Sequence, residues 1–181
     1  MQSYSSLFQV LNKSIEEQQR SLNNMSPKEM YEPMSYIIGL GGKRVRPLLT
    51  LVGCDIFDVN PTNAIHAALA VELFHNFSLI HDDILDNAPL RRGNTTVHEK
   101  WNHNIALLSG DGMLVKAYDI LALSKPLYIA QLLKLFYAVN RYRYPHNPTF
   151  PSPGRKTWRT QLPPHSGCYQ ESFRRFHVGC G

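Results

Sequence analysis

Between Pro61 and Asn87 the chain contains neither a proline nor a glycine. A stretch of that length without a helix breaker can form one continuous helix of roughly 40 Å, at about 1.5 Å per residue. The same stretch carries Glu72, His75, Asp82, Asp83 and Asp86. At about 100° per residue, Ala68, Glu72, His75, Leu79, Asp82 and Asp86 fall on one stripe, each three or four residues from the next. An imidazole and paired carboxylates therefore face the same side of a mostly apolar helix.

The neighbouring segments read as helices too. Leu7, Leu11, Ile15 and Leu22 recur at amphipathic spacing, which predicts a first helix over about 7–22. Ser26-Pro27-Lys28-Glu29 has the pattern of a capping box with proline at the first helical position, so a second helix should start there and stop near Gly39-Leu40-Gly41-Gly42. Leu48 to Val52 reads as a buried helix, ended by Asp58-Val59-Asn60-Pro61, which also caps the long one. Leu90 to Asn94 reads as a loop, Thr96 to Glu99 as another capping box, and Ile105 to Leu123 as a helix despite Gly110 and Gly112. Nothing alternates with period two over a useful length, so residues 1–136 are expected to be all-α.

Asp82 and Asp86 stand one turn apart, close enough to share a hard divalent cation. Mg2+ typically takes one or two carboxylates together with waters and substrate phosphates. Asp83 lies about 100° round the helix, placed to brace that pair rather than join it. Like charges at this spacing repel, so a helix gains nothing from three aspartates without a cation, although a solvated helix end gives the same pattern. Arg91-Arg92-Gly93 follows on a glycine-hinged loop, and the planar guanidinium fork suits bidentate phosphate binding. A second cationic cluster, Lys43, Arg44 and Arg46, follows a glycine turn that lets backbone N–H groups approach an anion. Acids and arginines around one cavity describe a site for Mg2+ and diphosphate.

These residues carry a resemblance. Gly41-Gly42-Lys43-Arg44-Val45-Arg46-Pro47, then Glu72-Leu-Phe-His75-Asn-Phe-Ser-Leu-Ile-His81-Asp82-Asp83-Ile-Leu-Asp86, then Leu90-Arg91-Arg92-Gly93 and Thr96-Val-His98 resemble the trans-isoprenyl diphosphate synthases, or polyprenyl synthetases, over about residues 4–136. The resemblance implies an isoprenoid synthase-type helical bundle, incomplete here, around an apolar cavity. It implies a transferase that condenses isopentenyl diphosphate with an allylic diphosphate (dimethylallyl, geranyl or farnesyl) to give a longer trans-polyprenyl diphosphate. Carried over residue by residue, it gives isopentenyl diphosphate to Lys43, Arg46, His75 and Arg92, and the allylic diphosphate to Arg91. Asp82, Asp83 and Asp86 would be catalytic, with Asp82 and Asp86 holding Mg2+. Product length would depend on Phe77 and Ser78, just before the aspartates; one aromatic there implies a product of about fifteen to twenty carbons, because pocket volume sets discrimination. A homodimer in the intact family and a cytoplasmic location are also implied.

Composition changes abruptly after Phe136. Residues 1–136 hold 12 basic and 13 acidic side chains, a net of −1, whereas residues 137–181 hold 7 and 1, a net of +6. The overall charge of +5 therefore belongs to the tail. Ile, Leu and Val occupy 38 of the first 136 positions but only Val139, Leu162 and Val178 of the last 45. This divides the chain into an N-terminal part of a synthase domain, 1–136, and a basic, Pro- and Arg-rich tail, 137–181, expected to be largely irregular. After Asp119 there is no aspartate, and Glu171 is the only later acid, so the family's second aspartate motif is not in this sequence. The tail is accordingly expected to be read in a shifted frame and the chain to be a truncated copy with impaired activity; the coding DNA decides this.

Other readings compete. A non-catalytic partner subunit or relic would keep only the isopentenyl-side cations. A class I terpene cyclase also uses Asp-Asp-x-x-Asp, but Gly42-Lys-Arg-Val-Arg-Pro47 argues against it. A nucleic-acid binder takes the pI of about 9.2 at face value, but no helix presents a basic face, so no nucleic-acid partner is expected. His165, Cys168, His177 and Cys180 have zinc-like pairing, for which chance in a His- and Cys-rich stretch is the better account. Three cysteines give no disulfide framework, which suits a reducing compartment, and neither a signal peptide nor a transmembrane segment is expected.

Overall fold

A computed structural model of the chain describes residues 4–124 and 126–143. Its elements are helices α1 (Tyr4–Asn23), α2 (Lys28–Gly39), α3 (Val45–Ile56), α4 (Ile65–Leu85), α5 (Val97–Lys100), α6 (His103–Ala122) and α7 (Pro126–Arg143). A single 3-10 turn, Pro61–Ala64, leads into α4, and a two-stranded ribbon, β1 (Leu90–Arg91) and β2 (Asn94–Thr95), pairs Leu90 with Thr95 and Arg91 with Asn94. The architecture is all-α, as expected. The chain divides into units at Leu135 and Phe136, and the packing below is that of the first. Residues 137–143 continue the helix α7 past the change in composition. The rest of the tail, with the His165, Cys168, His177 and Cys180 pattern, lies outside the described residues.

The long proline-free stretch becomes α4, which runs through the core. Ala67, Ala68, Leu69, Ala70, Leu73, Phe74, Phe77 and Ile80 are all buried, and a helix apolar nearly all round belongs inside a bundle. Asn60 caps the entry, its side-chain Oδ1 accepting from the Thr62 N–H at 3.0 Å. Helix α6 is the main partner of α4. Its buried stripe of Ala106, Ser109, Gly110, Met113, Ala117 and Ile120 is small enough to bring the two axes close. Gly110 lies under His81 and Ile80, so α6 runs unbroken through both glycines because they serve packing, not turning.

Helix α1 buries Leu7, Leu11, Ile15 and Leu22 against α2, α3 and α4, the stripe expected from their spacing. Helix α3 departs from expectation: Pro47, Leu48 and Leu51 are buried, but Leu49 is 62% exposed, so only one face of this apolar run is covered. Neither capping box forms. Pro27, not Ser26, stands at the N-cap of α2 and has no side chain to accept a bond; its carbonyl instead accepts from Met30 and Tyr31. At α5 the Thr96 hydroxyl turns away from the helix and donates to the Ala88 carbonyl at 2.7 Å, closing the base of the ribbon.

Candidate functional site

The site is built where α3, α4 and the ribbon meet. Gly41 and Gly42 end the second helix with φ of 71° and 141°, and Arg44 follows in the left-handed region at φ 49°. Arg46, in the first turn of α3, is exposed, and its Nη1 lies 3.3 Å from Nε2 of His75 on α4. Arg92 sits at the ribbon turn with φ 53°, and its Nη1 donates to the Gly41 carbonyl. A Cβ on Gly42 would stand 2.8 Å from that guanidinium, so glycine here leaves room for the Arg92 side chain against the turn. Lys43, exposed, is the next residue. Lys43, Arg46, His75 and Arg92, drawn from three separate segments, thus surround one glycine turn.

Arg92 is perturbed by burial and by other charges than these. Loss of water and the nearby Arg44 pull the Arg92 guanidinium below its ordinary pKa; Glu72 opposes this and Arg91 adds to it. Clustered positive charge with partial loss of solvent favours an anion, whose binding would relieve the repulsion.

Arg44 does not join the exposed cluster as its sequence neighbours do. It is 8% exposed, paired with Glu72, and donates from Nη2 to the Ile38 carbonyl at 2.7 Å. Asn76 supports the acid, donating to Glu72 Oε1 at 3.1 Å and to the Glu72 carbonyl at 2.8 Å. The periodicity placed Glu72 on the functional stripe but left its partner unread. The available signal was a carboxylate among Ala, Val and Leu residues, since a buried charge needs a counter-charge.

On the next turns of α4 the three aspartates separate. Asp82 is part-exposed; Asp86 is exposed at the C-cap, its N–H donating to the Asp82 carbonyl at 2.8 Å. Asp83 is 1% exposed and takes a bidentate pair from Arg91, Nε to Oδ2 at 2.7 Å and Nη2 to Oδ1 at 2.6 Å. Asp83 is thus held within the protein, and Arg91, expected on the allylic diphosphate, keeps its Nη1 group and the second N–H of Nη2 for another partner. Tyr36 holds the second strand of the ribbon, its hydroxyl donating to the Thr95 carbonyl at 2.8 Å. Trp101 packs edge-on to Tyr36 at 5.3 Å, with Lys100 3.9 Å above the Tyr36 ring.

Phe77 and Ser78 are both buried. Phe77 packs edge-on against Phe74 at 5.6 Å and His81 at 4.7 Å, while the Ser78 hydroxyl donates to the His75 carbonyl at 2.6 Å. A groove of about 490 Å³ runs between the start of α2 and α6, lined by residues that include Met30, Tyr31, Ile105, Leu108 and Val115. Neither Phe77 nor Ser78 lines it; its lining residue Asp111 lies 3.6 Å from His81, the neighbour of Asp82.

Residues 27–141 match the sequence profile of polyprenyl synthetases. The chain belongs to the polyprenyl synthetase family. The match continues five residues beyond the change in composition at Phe136. Among similar proteins, the geranylgeranyl diphosphate synthase of Methanosarcina mazei is 44% identical over 96 residues, covering 53% of this chain and 30% of that protein. The geranylgeranyl pyrophosphate synthase of Geoglobus acetivorans is 39% identical over 115 residues, 64% of this chain and 35% of the relative. A crystal structure of a geranylgeranyl pyrophosphate synthase superposes with a TM-score of 0.72 at 38% identity, over 80% of this chain and 45% of that one. The Pyrococcus horikoshii synthetase structure gives 0.69 at 36% identity, over 77% and 45%. This polyprenyl synthetase chain thus spans about a third of the curated relatives it matches. No helix among its described residues is long and apolar enough to cross a membrane.

Proposed function

We propose that this chain carries the substrate-binding face of a trans-prenyltransferase, which joins isopentenyl diphosphate to an allylic diphosphate such as dimethylallyl, geranyl or farnesyl diphosphate. The observation that carries this reading is the meeting of Arg46 with His75 and of Arg92 with Gly41, beside Lys43. Three cations and an imidazole around a glycine turn suit one diphosphate group. Asp82 and Asp86, about two and three turns beyond His75, face the second diphosphate.

The donor set fits magnesium. Two hard carboxylates on consecutive turns are what that ion takes from a protein when substrate phosphates and water complete its shell. Asp83, buried and bonded to Arg91 through both oxygens, is read as bracing Arg91 and not as part of that set. Bound there, Mg2+ would supply neutralising charge for the departing diphosphate. The chain's own residues do the rest: Lys43, Arg46 and Arg92 anchor isopentenyl diphosphate, His75 orients Arg46, and Asp83 fixes Arg91 beside the aspartates. Addition of the isopentenyl double bond to C1 of the allylic partner, with loss of diphosphate and a proton, lengthens the chain by five carbons. Phe77, with Ser78 beside it, would limit product length as buried bulk on α4. The division into a synthase segment, 1–136, and a tail belongs to this reading, as do a homodimer and the cytoplasm.

One observation favours a second reading, a non-catalytic partner subunit: no aspartate follows Asp119, so this sequence carries one aspartate-rich motif and not two. The two readings separate on turnover. Purified chain with MgCl2, isopentenyl diphosphate and farnesyl diphosphate releases diphosphate under the first and none under the second. Calorimetric binding of isopentenyl diphosphate, weakened in Arg46→Ala, is expected under both; its absence would sink them together.

A further inference from the structure

A buried guanidinium joins three elements beneath the exposed cations. Arg44 leads into α3 from a left-handed backbone, φ 49° and ψ 31°, a conformation that a Cβ disfavours. Its side chain reaches Glu72 on α4 and the Ile38 carbonyl at the end of α2. Glu72 is 4% exposed and is also held by Asn76, so the carboxylate is enclosed on both sides. Lys43 and Arg46, on either side of Arg44, are exposed. A cation shut in this way cannot meet a diphosphate arriving from solvent.

We propose that Arg44, clamped by Glu72, is a positioning residue for the isopentenyl diphosphate subsite, setting the register of the 41–46 turn on α4 so that Arg46 meets His75 and Gly41 meets Arg92. Glu72 lies one turn before His75, and Arg44 two residues before Arg46, so the ion pair and the Arg46–His75 contact attach the same two elements at neighbouring points. Two attachments fix an angle where one would leave a pivot. Arg's fork suits this task because one planar group bonds a side chain and a carbonyl at once. This inference rests on reading Lys43, Arg46, His75 and Arg92 as the isopentenyl diphosphate site.

The rival account is that the pair only stabilises the fold, and three variants of the full chain separate the two. Glu72→Gln keeps shape but removes charge; isopentenyl diphosphate affinity, measured by calorimetry, should fall at least tenfold. The unfolding midpoint should also drop, because Arg44 is left buried without a counter-charge. The double variant Arg44→Met, Glu72→Leu replaces the pair by apolar side chains, an exchange that often restores stability. Its midpoint should return while its affinity stays at least fivefold weak. Glu72→Asp, which retains the charge but draws the carboxylate back by one methylene, should lose about threefold at a near-normal midpoint. Wild-type affinity in the double variant at a restored midpoint overturns the proposal; if that variant does not fold, wild-type affinity in Glu72→Asp overturns it. If the unaltered chain fails to bind isopentenyl diphosphate, the subsite reading and this inference fall together; if it binds and the variants bind equally well, only this inference falls.

Discussion

Arg91 grips Asp83 with two of its nitrogens, at 2.7 and 2.6 Å, across eight residues of sequence. The pair ties the ribbon to the end of α4, with the carboxylate buried and the guanidinium partly open to water. It also explains how three aspartates in a run of five coexist in one helix: the middle one is neutralised within the protein, which leaves Asp82 and Asp86 to face outward.

Asp83→Asn should therefore lower stability and loosen the ribbon together. Breaking a fully buried pair costs roughly 3–5 kcal/mol, and partial solvation of Arg91 reduces that here to about 2 kcal/mol. Urea denaturation monitored by circular dichroism measures the loss. A change below about 0.5 kcal/mol would mean that solvent already does most of what Arg91 does.

Gly110→Ala and Gly112→Ala should differ in sign although they are two residues apart in one helix. A Cβ on Gly110 would lie 2.5 Å from the His81 ring, a group wedged against α6, whereas on Gly112 it would clash with the terminal methyl of Met30, the far end of a flexible side chain. Alanine gains up to about 1 kcal/mol in helix propensity at either site. Overpacking against a ring costs about 1–3 kcal/mol and outweighs the gain at 110; Met30 can swing aside at 112. Paired urea titrations check the contrast: stabilisation at both positions would show that α4 and α6 yield more easily than their contacts imply.

Gly42→Ala should weaken anion binding far more than it weakens the fold. Its φ of 141° suits glycine alone, and a Cβ would displace Arg92 from Gly41. Affinity for isopentenyl diphosphate is expected to drop more than tenfold, with about 1–2 kcal/mol lost in stability from the strained backbone. Calorimetry and denaturation on the same preparation give both numbers; an unchanged affinity would remove Arg92 from the site.

Cys54 should alkylate slowly in the folded chain. Burial pushes its thiol pKa up, so less thiolate, the reactive form, is present at any given pH. Peptide-mapped iodoacetamide labelling at pH 8 should be slower in buffer than in 8 M urea. Equal rates would mean that burial has no effect on this thiol.

The periodic features were legible one segment at a time. The breaker-free run from Thr62 to Asn87 announced α4, the Leu7, Leu11, Ile15 and Leu22 spacing announced the buried stripe of α1, and the glycines at 39–42 announced the end of α2. Both capping boxes were misread because a cap depends on where one hydroxyl turns. The Thr96 hydroxyl bonds the Ala88 carbonyl and caps nothing in its own helix, and Pro27 took the position read for Ser26.

The residue types for diphosphate and magnesium were likewise visible along the chain, and motif order was enough to point to the family. Their division of labour was not. Arg44 and Arg46 look alike in Gly42-Lys-Arg-Val-Arg-Pro47, yet one is buried on Glu72, 28 residues away, and the other meets His75, 29 residues away. Arg91 and Arg92 are adjacent, yet one holds Asp83 and the other reaches back 51 residues to Gly41. Helical periodicity is a property of neighbours within about four residues, so sequence alone determines it. Which charge is buried and which is offered to a ligand depends on Coulomb and hydrogen-bond partners that meet only through space, and that was decided when α3 and the ribbon packed on α4.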